Sequence, residues 1–178
     1  MQPTKGIAIL AVFLAASLIG PAGAEAQYAM GQKYLGVHIG VSGVGSTAAL
    51  GVNGEISYND RISIGAWADT WSYGEDYGTV LGNVSWDVRY IAIAGTGSYH
   101  FPIESNDKLD PFVGAAVGYF VVSSSTESAF GASYSGDASR LFVGGFGGIR
   151  YFFKPRMAGV ARVGFGAAYL TLGLDFGF

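Results

Sequence analysis

The chain has 178 residues, with 29 Gly, 12 Phe, 11 Tyr, 3 Trp and no Cys, and only 10 basic against 13 acidic side chains. At 13% charged residues it carries about half the ~25% of a soluble globular domain, and about twice the usual ~7% of Gly. The length excludes two full-sized domains, the apolar content argues against disorder, the missing triplet period excludes collagen, and a formal charge of −3 leaves no basic field for nucleic acid.

Residues 1–24 read as an export signal. Lys5 supplies the positive start, Ile7 to Ile19 form an apolar stretch broken only by Ser17, and Pro21 precedes the small-residue site Ala22-Gly23-Ala24. A second such site ends at Ala26, so cleavage is expected after Ala24 or Ala26, leaving residues 25–178 as one domain. The stretch is shorter than the ~20 residues of a spanning helix, and no later segment reaches that length. Export leads to a space where disulfides form, but a chain without Cys must be stable without them.

From there on the sequence alternates with period two, the pattern of strands. Leu35, Val37, Ile39 and Val41 alternate with Tyr34, Gly36, His38 and Gly40. Leu50, Val52 and Ile56 alternate with Asn53, Glu55 and Ser57, and Ile62, Ile64, Ala66 and Ala68 with Ser63, Gly65, Trp67 and Asp69. In the fourth segment Trp86, Val88 and Tyr90 oppose Asp87 and Arg89, after which Ile91 to Phe101 blurs, as a bulge near Gly95 or Gly97 would make it. Val113 to Val121, Leu141 to Tyr151, Met157 to Phe165 and Tyr169 to Phe178 complete eight strands.

The connections differ at the two ends. Asn59-Asp60, Pro102 to Asp107 and Phe153 to Arg156 are compact turns, whereas Ser42 to Thr47, Ser72 to Ser85 and Ser123 to Ser139 read as Gly/Ser/Thr-rich loops, with a tight Gly166-Ala167 beside them. Residues 25–178 leave ~19 residues per strand and connection, enough for the ~10 of a tilted strand that crosses a bilayer. The expected fold is an all-β, eight-stranded antiparallel up-and-down transmembrane barrel.

Charge decides which face looks outward. Glu55, Asp69, Asp87, Arg89, Arg150, Arg162 and Asp175 all fall on the Gly-rich parity in this reading. A basic residue facing mid-bilayer costs ~2–4 kcal/mol and an acid less, so this set facing lipid would rival the ~5–15 kcal/mol stability of a domain. A water-soluble barrel would need a Lys- and Glu-rich exterior, and after Lys5 only Lys33, Lys108 and Lys154 remain. The charges are therefore expected inside, paired in a lumen salt-bridge network, with lipid against the apolar face. Tyr34, Tyr58, Trp86, Tyr90, Tyr119, Tyr151 and Phe178 are expected in the aromatic girdles.

The last ten residues, YLTLGLDFGF with Leu172, Leu174, Phe176 and Phe178 on one face, resemble the assembly signal of bacterial outer-membrane barrels. Ser98-Tyr99-His100-Phe101-Pro102, followed by Asp110 to Tyr119 (DPFVGAAVGY), resembles the turn and strand of small OmpA/OmpX/OmpW-like barrels. The resemblance implies a Gram-negative outer-membrane location, insertion by the outer-membrane machinery, contact with outer-membrane lipid and lipopolysaccharide, and periplasmic termini. It does not imply one activity, since anchors, adhesins, narrow porin-like channels and a few lipid-modifying enzymes share the fold.

Catalytic chemistry finds little support. His38 and His100 are the only histidines, no His follows residue 140, and neither a cofactor nor a metal site is expected from two separated His without Cys. Recognition falls to the exposed segments, where Tyr73, Tyr77, Phe130 and Tyr134 stand among Ser and Gly as in adaptable binding loops. Those segments are acidic, which disfavours heparin-like polyanions and nucleic acid. The leading expectation is a non-enzymatic barrel whose loops serve envelope stability, adhesion or contact with host or matrix surface molecules. The alternative is a small channel for ions or small hydrophobic solutes.

Overall fold

The computed structural model describes residues 28–43, 47–79, 82–128 and 133–178, of which 75–79, 82–85, 125–128 and 133–134 are described in backbone only. The export signal expected over residues 1–24 lies outside them, as does Phe130. Eight antiparallel strands follow in chain order: β1 Lys33–Ser42, β2 Ala48–Ser57, β3 Ile62–Thr79, β4 Gly82–His100, β5 Leu109–Ser128, β6 Ser133–Lys154, β7 Met157–Phe165 and β8 Ala168–Gly177. Each pairs with its sequence neighbours, and β1 closes on β8 through Leu35↔Phe176, Val37↔Leu174 and Ile39↔Leu172. Closure leaves no unpaired sheet edge through the barrel wall, the condition for strands to cross hydrocarbon.

The two faces of the pleat are chemically opposite. Ile39, Leu50, Ile64, Ile93, Val117, Val143, Val163 and Leu172 stand exposed on the outside, while Tyr34, His38, Asp69, Asp110, Arg150 and Asp175 are buried inside. Glycines inside make room for the polar groups. A Cβ on Gly36 or Gly51 would collide with the Asp175 carboxylate and with the Asp69–His38 pair, respectively. Between β7 and β8 the chain reverses at Gly166, whose φ of 116° lies in a region a side chain rarely adopts.

Three expectations are corrected. Ser72 to Ser85 and Ser123 to Ser139 are mostly not loops: the β3–β4 ladder continues from Ser72↔Arg89 to Thr79↔Gly82, and the β5–β6 ladder from Ser123↔Asp137 to Glu127↔Ser133. β3 to β6 therefore have 18, 19, 20 and 22 residues, against 10, 10, 9 and 10 in β1, β2, β7 and β8. At ~3.4 Å per residue the long strands reach well past the ~9–11 residues that span a bilayer. Polar residues on both faces leave no alternation to read, so strands wet on both sides look like loops in sequence.

The second correction is the parity of β4. Its register against β3 and β5 runs without a shift, so no bulge exists at Gly95 or Gly97. Val88, Ala92, Ala94, Ser98 and His100 are buried inside, and Asp87, Arg89, Ile91 and Ile93 face out. Asp87 and Arg89 thus stand outside the lumen. The alternation misled because the upper lumen is itself apolar, so Val88 points inward as an apolar residue should outside.

Third, three girdle assignments fail, those of Tyr34, Tyr90 and Trp86. Tyr34 is inside, 2% exposed, with the Arg150 guanidinium 4.4 Å over its ring. Tyr90 stacks inward on Trp71 at 5.2 Å. Trp86 shares the inward parity of Val88 but lies above the barrel wall, 39% exposed and edge-on to Tyr73. Tyr58, Tyr119, Tyr151 and Phe178 are exposed.

Candidate functional site

The barrel interior holds two layers of different chemistry. The layer toward the tall strands is aromatic and aliphatic, because β3, β4, β5 and β6 turn Trp71, Ala92, Ala94, Ala116, Phe120 and Phe142 into it. Phe120 stacks on Phe142 at 4.4 Å, Trp71 meets Phe120 edge-on at 6.0 Å, and Trp67 leans on Phe142 at 5.8 Å. Small inward residues on β4 and β5 leave the width for these rings, as an eight-stranded barrel is filled by its own side chains.

The layer toward the compact turns is ionic. Arg150 of β6 is fully buried, and its Nε and Nη2 donate to Asp175 Oδ2 of β8 at 3.0 and 2.9 Å. Its Nη1 donates to Asp110 Oδ2 at 3.0 Å and its Nη2 to Glu55 Oε1 at 3.2 Å, so one guanidinium ties β6 to β8, β5 and β2. Arg162 Nη2 lies 3.6 Å from Asp175, and Asn53 Nδ2 donates to that carboxylate at 3.0 Å. A buried guanidinium is tolerable only with its donors met in this way.

Two histidines extend the network. His38 Nε2 is 2.6 Å from Asp69 Oδ1, and its Nδ1 is 3.2 Å from Asn53 Oδ1. Because the Asn53 amide nitrogen faces Asp175, its oxygen faces His38, and both ring nitrogens of His38 confront acceptors. His100 lies between Asp110 Oδ1 at 2.7 Å and Ser63 Oγ at 2.9 Å, and the Tyr28 ring covers its face at 3.7 Å. Tyr28 precedes β1 and sits in the barrel mouth, where burial pushes its hydroxyl above the ordinary phenol range.

The Ser63–His100–Asp110 order is that of a hydrolase triad, but the setting is not. Ser63 is only 1% exposed, Asp110 is shared with Arg150, and Tyr28 lies over the imidazole. Likewise the carboxylates of Glu55, Asp110 and Asp175 converge on a guanidinium rather than leaving a metal-sized gap. Among the described residues no group of His and carboxylates has metal-holding geometry.

Of the charges expected in the lumen, Glu55, Asp69, Arg150, Arg162 and Asp175 meet there, and Asp87 and Arg89 do not. Sequence reading missed Asp110 as a member, along with Asn53, His100 and Ser63. Asp110 opens β5 directly before Pro111, which reads as a strand end; its even parity with Phe112 and Ala116 was the available signal. Leu172, Leu174, Phe176 and Phe178 lie along the outer face of β8 and just past it. Tyr73 lies on β3, and the backbones of Tyr77 and Tyr134 lie on β3 and β6.

No protein-family model matches the sequence, and neither does a curated protein. Solved structures do match the fold. The N-terminal β-barrel domain of Pseudomonas aeruginosa OprF aligns with a TM-score of 0.60 at 14% identity, covering 84% of this chain and 98% of that one. Ail, the attachment invasion locus protein of Yersinia pestis in complex with the heparin analogue sucrose octasulfate, aligns at 0.58 and 13%, covering 84% and 99%. The outer membrane protein OprG of Pseudomonas aeruginosa aligns at 0.58 and 11%, covering 87% and 99%. This chain has the closed eight-stranded barrel fold of those outer-membrane proteins.

Proposed function

We propose that this chain is a non-enzymatic integral outer-membrane barrel, exported with residues 1–24 as a cleaved signal, whose tall β3–β6 sheet is the working surface. One contrast carries the reading: the lumen is filled, while four strands rise beyond the length a bilayer needs. Filled by Trp71, Phe120 and Phe142 above and by Arg150 and its carboxylates below, the interior serves to hold the barrel shut. The outward apolar belt supports lipid and lipopolysaccharide as its surroundings. The aromatic C-terminus supports insertion by the outer-membrane machinery.

The projecting hairpins support roles in adhesion, host or matrix contact, or envelope stability. That Ail was solved with a heparin analogue favours host-surface partners as a class. The chemistry here differs from a polyanion site. Over residues 71–90 and 120–141 the acids are Glu75, Asp76, Asp87, Glu127 and Asp137, and the bases only Arg89 and Arg140. Neutral or cationic partners fit this surface. Replacing Ser125 to Ser135 by a two-residue turn tests it: binding of the purified barrel to cells or matrix should be lost while the barrel stays folded. Binding that survives this replacement and the equivalent shortening of β3–β4 would overturn the reading.

The channel reading rests on the small cavity of about 70 Å³ beside His38, Glu55, Asp69 and Arg162. It has room for little more than water, and Trp67 and Phe146 are among the side chains that line it. A sealed barrel is therefore the better account.

A further inference from the structure

Above Thr70 and Gly145, β3 and β6 have lost their pairing with β2 and β7, so the inward-parity face of β3–β6 stands open on the side where those strands have ended. Its floor is the aromatic layer of Trp71, Phe120 and Phe142. Two further rings rise above that floor. Tyr73 of β3 and Trp86 of β4 stand diagonally across the ladder, with centroids 6.3 Å apart and planes at 85°, and Trp86 is exposed. A perpendicular pair leaves a re-entrant corner bounded by one face of each ring.

Charge favours a cation in that corner. Glu75 is directly opposite Trp86 in the ladder, and the row continues over β5 and β6 with the uncharged Thr126 and Tyr134. The bases of these strand segments are elsewhere: Arg89 belongs to the outer face, and Arg140 stands opposite Phe120, level with the floor and ~20 Å below Tyr134 along β6. Ring faces attract a cation through their quadrupole but offer no acceptor to N–H groups. A primary ammonium is strongly hydrated and gives up water on entering, whereas a trimethylammonium has no N–H to satisfy and is the cation that aromatic cages take. The corner is too open to bury ~70–90% of a free small molecule, as a solute site does. A membrane surface presents the same head group at high local density, which offsets a shallow contact. The corner lies at the end of the barrel opposite both chain termini, on the face of the sheet turned away from the surrounding bilayer.

We propose that the Tyr73–Trp86 corner, with Glu75 opposite Trp86 in the ladder, docks the choline heads of an opposing phosphatidylcholine membrane. The site deepens the adhesion reading above and rests on it. The full-length processed barrel, held in nanodiscs of choline-free lipid, is mixed with sucrose-loaded vesicles of phosphatidylcholine or of phosphatidylethanolamine, and co-sedimentation is measured. The two lipids have the same net charge and differ in the methyl groups on nitrogen. Wild type should sediment with phosphatidylcholine at about fivefold lower lipid concentration than with phosphatidylethanolamine. Trp86→Ala and Tyr73→Ala should lose that preference, Glu75→Gln should weaken it, and Trp86→Phe should keep part of it; heat-modifiable migration shows that each variant is folded. Equal sedimentation of wild type with the two lipids overturns the site, as does a preference that Trp86→Ala retains. If the vesicles bind alike while cell binding is still lost on replacing Ser125 to Ser135, this site falls and the adhesion reading stands. A wild type that binds neither cells nor vesicles sinks both.

Discussion

Arg150 donates both Nε and Nη2 to the same Asp175 oxygen, at 3.0 and 2.9 Å, across a lumen that closes around them. The pair joins β6 to β8, two strands that do not share a ladder. Since Glu55 and Asp110 converge on the same guanidinium, its removal takes the arginine partner from three carboxylates at once.

Arg150→Met is therefore expected to destabilise the barrel by ~3–5 kcal/mol, the cost of leaving buried charge unpaired. Arg162→Met should cost ~1 kcal/mol, because its side chain is 17% exposed and lies 3.6 Å from Asp175. Urea unfolding of both variants in lipid vesicles gives the comparison. Equal losses would mean that Arg150 is not the keystone of the network.

Glycine substitutions should separate the two faces. A methyl on Gly51 meets the Asp69 carboxylate and the His38 ring, whereas one on Gly95 meets nothing within 4 Å. Gly51→Ala should lose ~1–3 kcal/mol through overpacking. Gly95→Ala should be neutral or slightly stabilising, since Ala restricts the unfolded chain more than Gly. The same unfolding assay reads both, and a harmless Gly51→Ala would contradict the packed lumen.

Conductance should be absent in the wild type and should appear when the upper seal is cut. Trp71→Ala with Phe120→Ala removes two rings of the aromatic layer while leaving Arg150 and its partners in place. Planar-bilayer recordings of the two proteins decide it. Spontaneous opening of the wild type would restore the channel reading.

Shortening the tall hairpins should leave the barrel's stability nearly unchanged. Above Thr70 the β3 strand no longer pairs with β2, and above Gly145 the β6 strand no longer pairs with β7. The upper residues thus form a sheet of their own, outside the closed cylinder. Heat-modifiable migration should persist after Ser125 to Ser135 are replaced, and its loss would show that the projection supports the wall.

The strand number, the closed barrel and the orientation of seven strands were legible in the sequence, because Ile, Leu and Val alternate with Gly and charge wherever one face meets lipid. Leu170 to Phe178 is the plainest case: Leu172 and Leu174 face out and Asp175 faces in, as their spacing requires. What tertiary structure alone decided was which charges meet. Arg150 finds Asp110 forty positions away as its partner in the β5–β6 ladder, and Asn53 reaches Asp175 across 122, a contact that exists only once β1 and β8 have closed the cylinder. It also decided the direction of Arg89, because local alternation records contrast between two faces but not which face is wet. Where an apolar plug fills the upper lumen, an inward Val88 and an outward Arg89 look the same in sequence as their inverse. The register against β3 and β5 chooses between them.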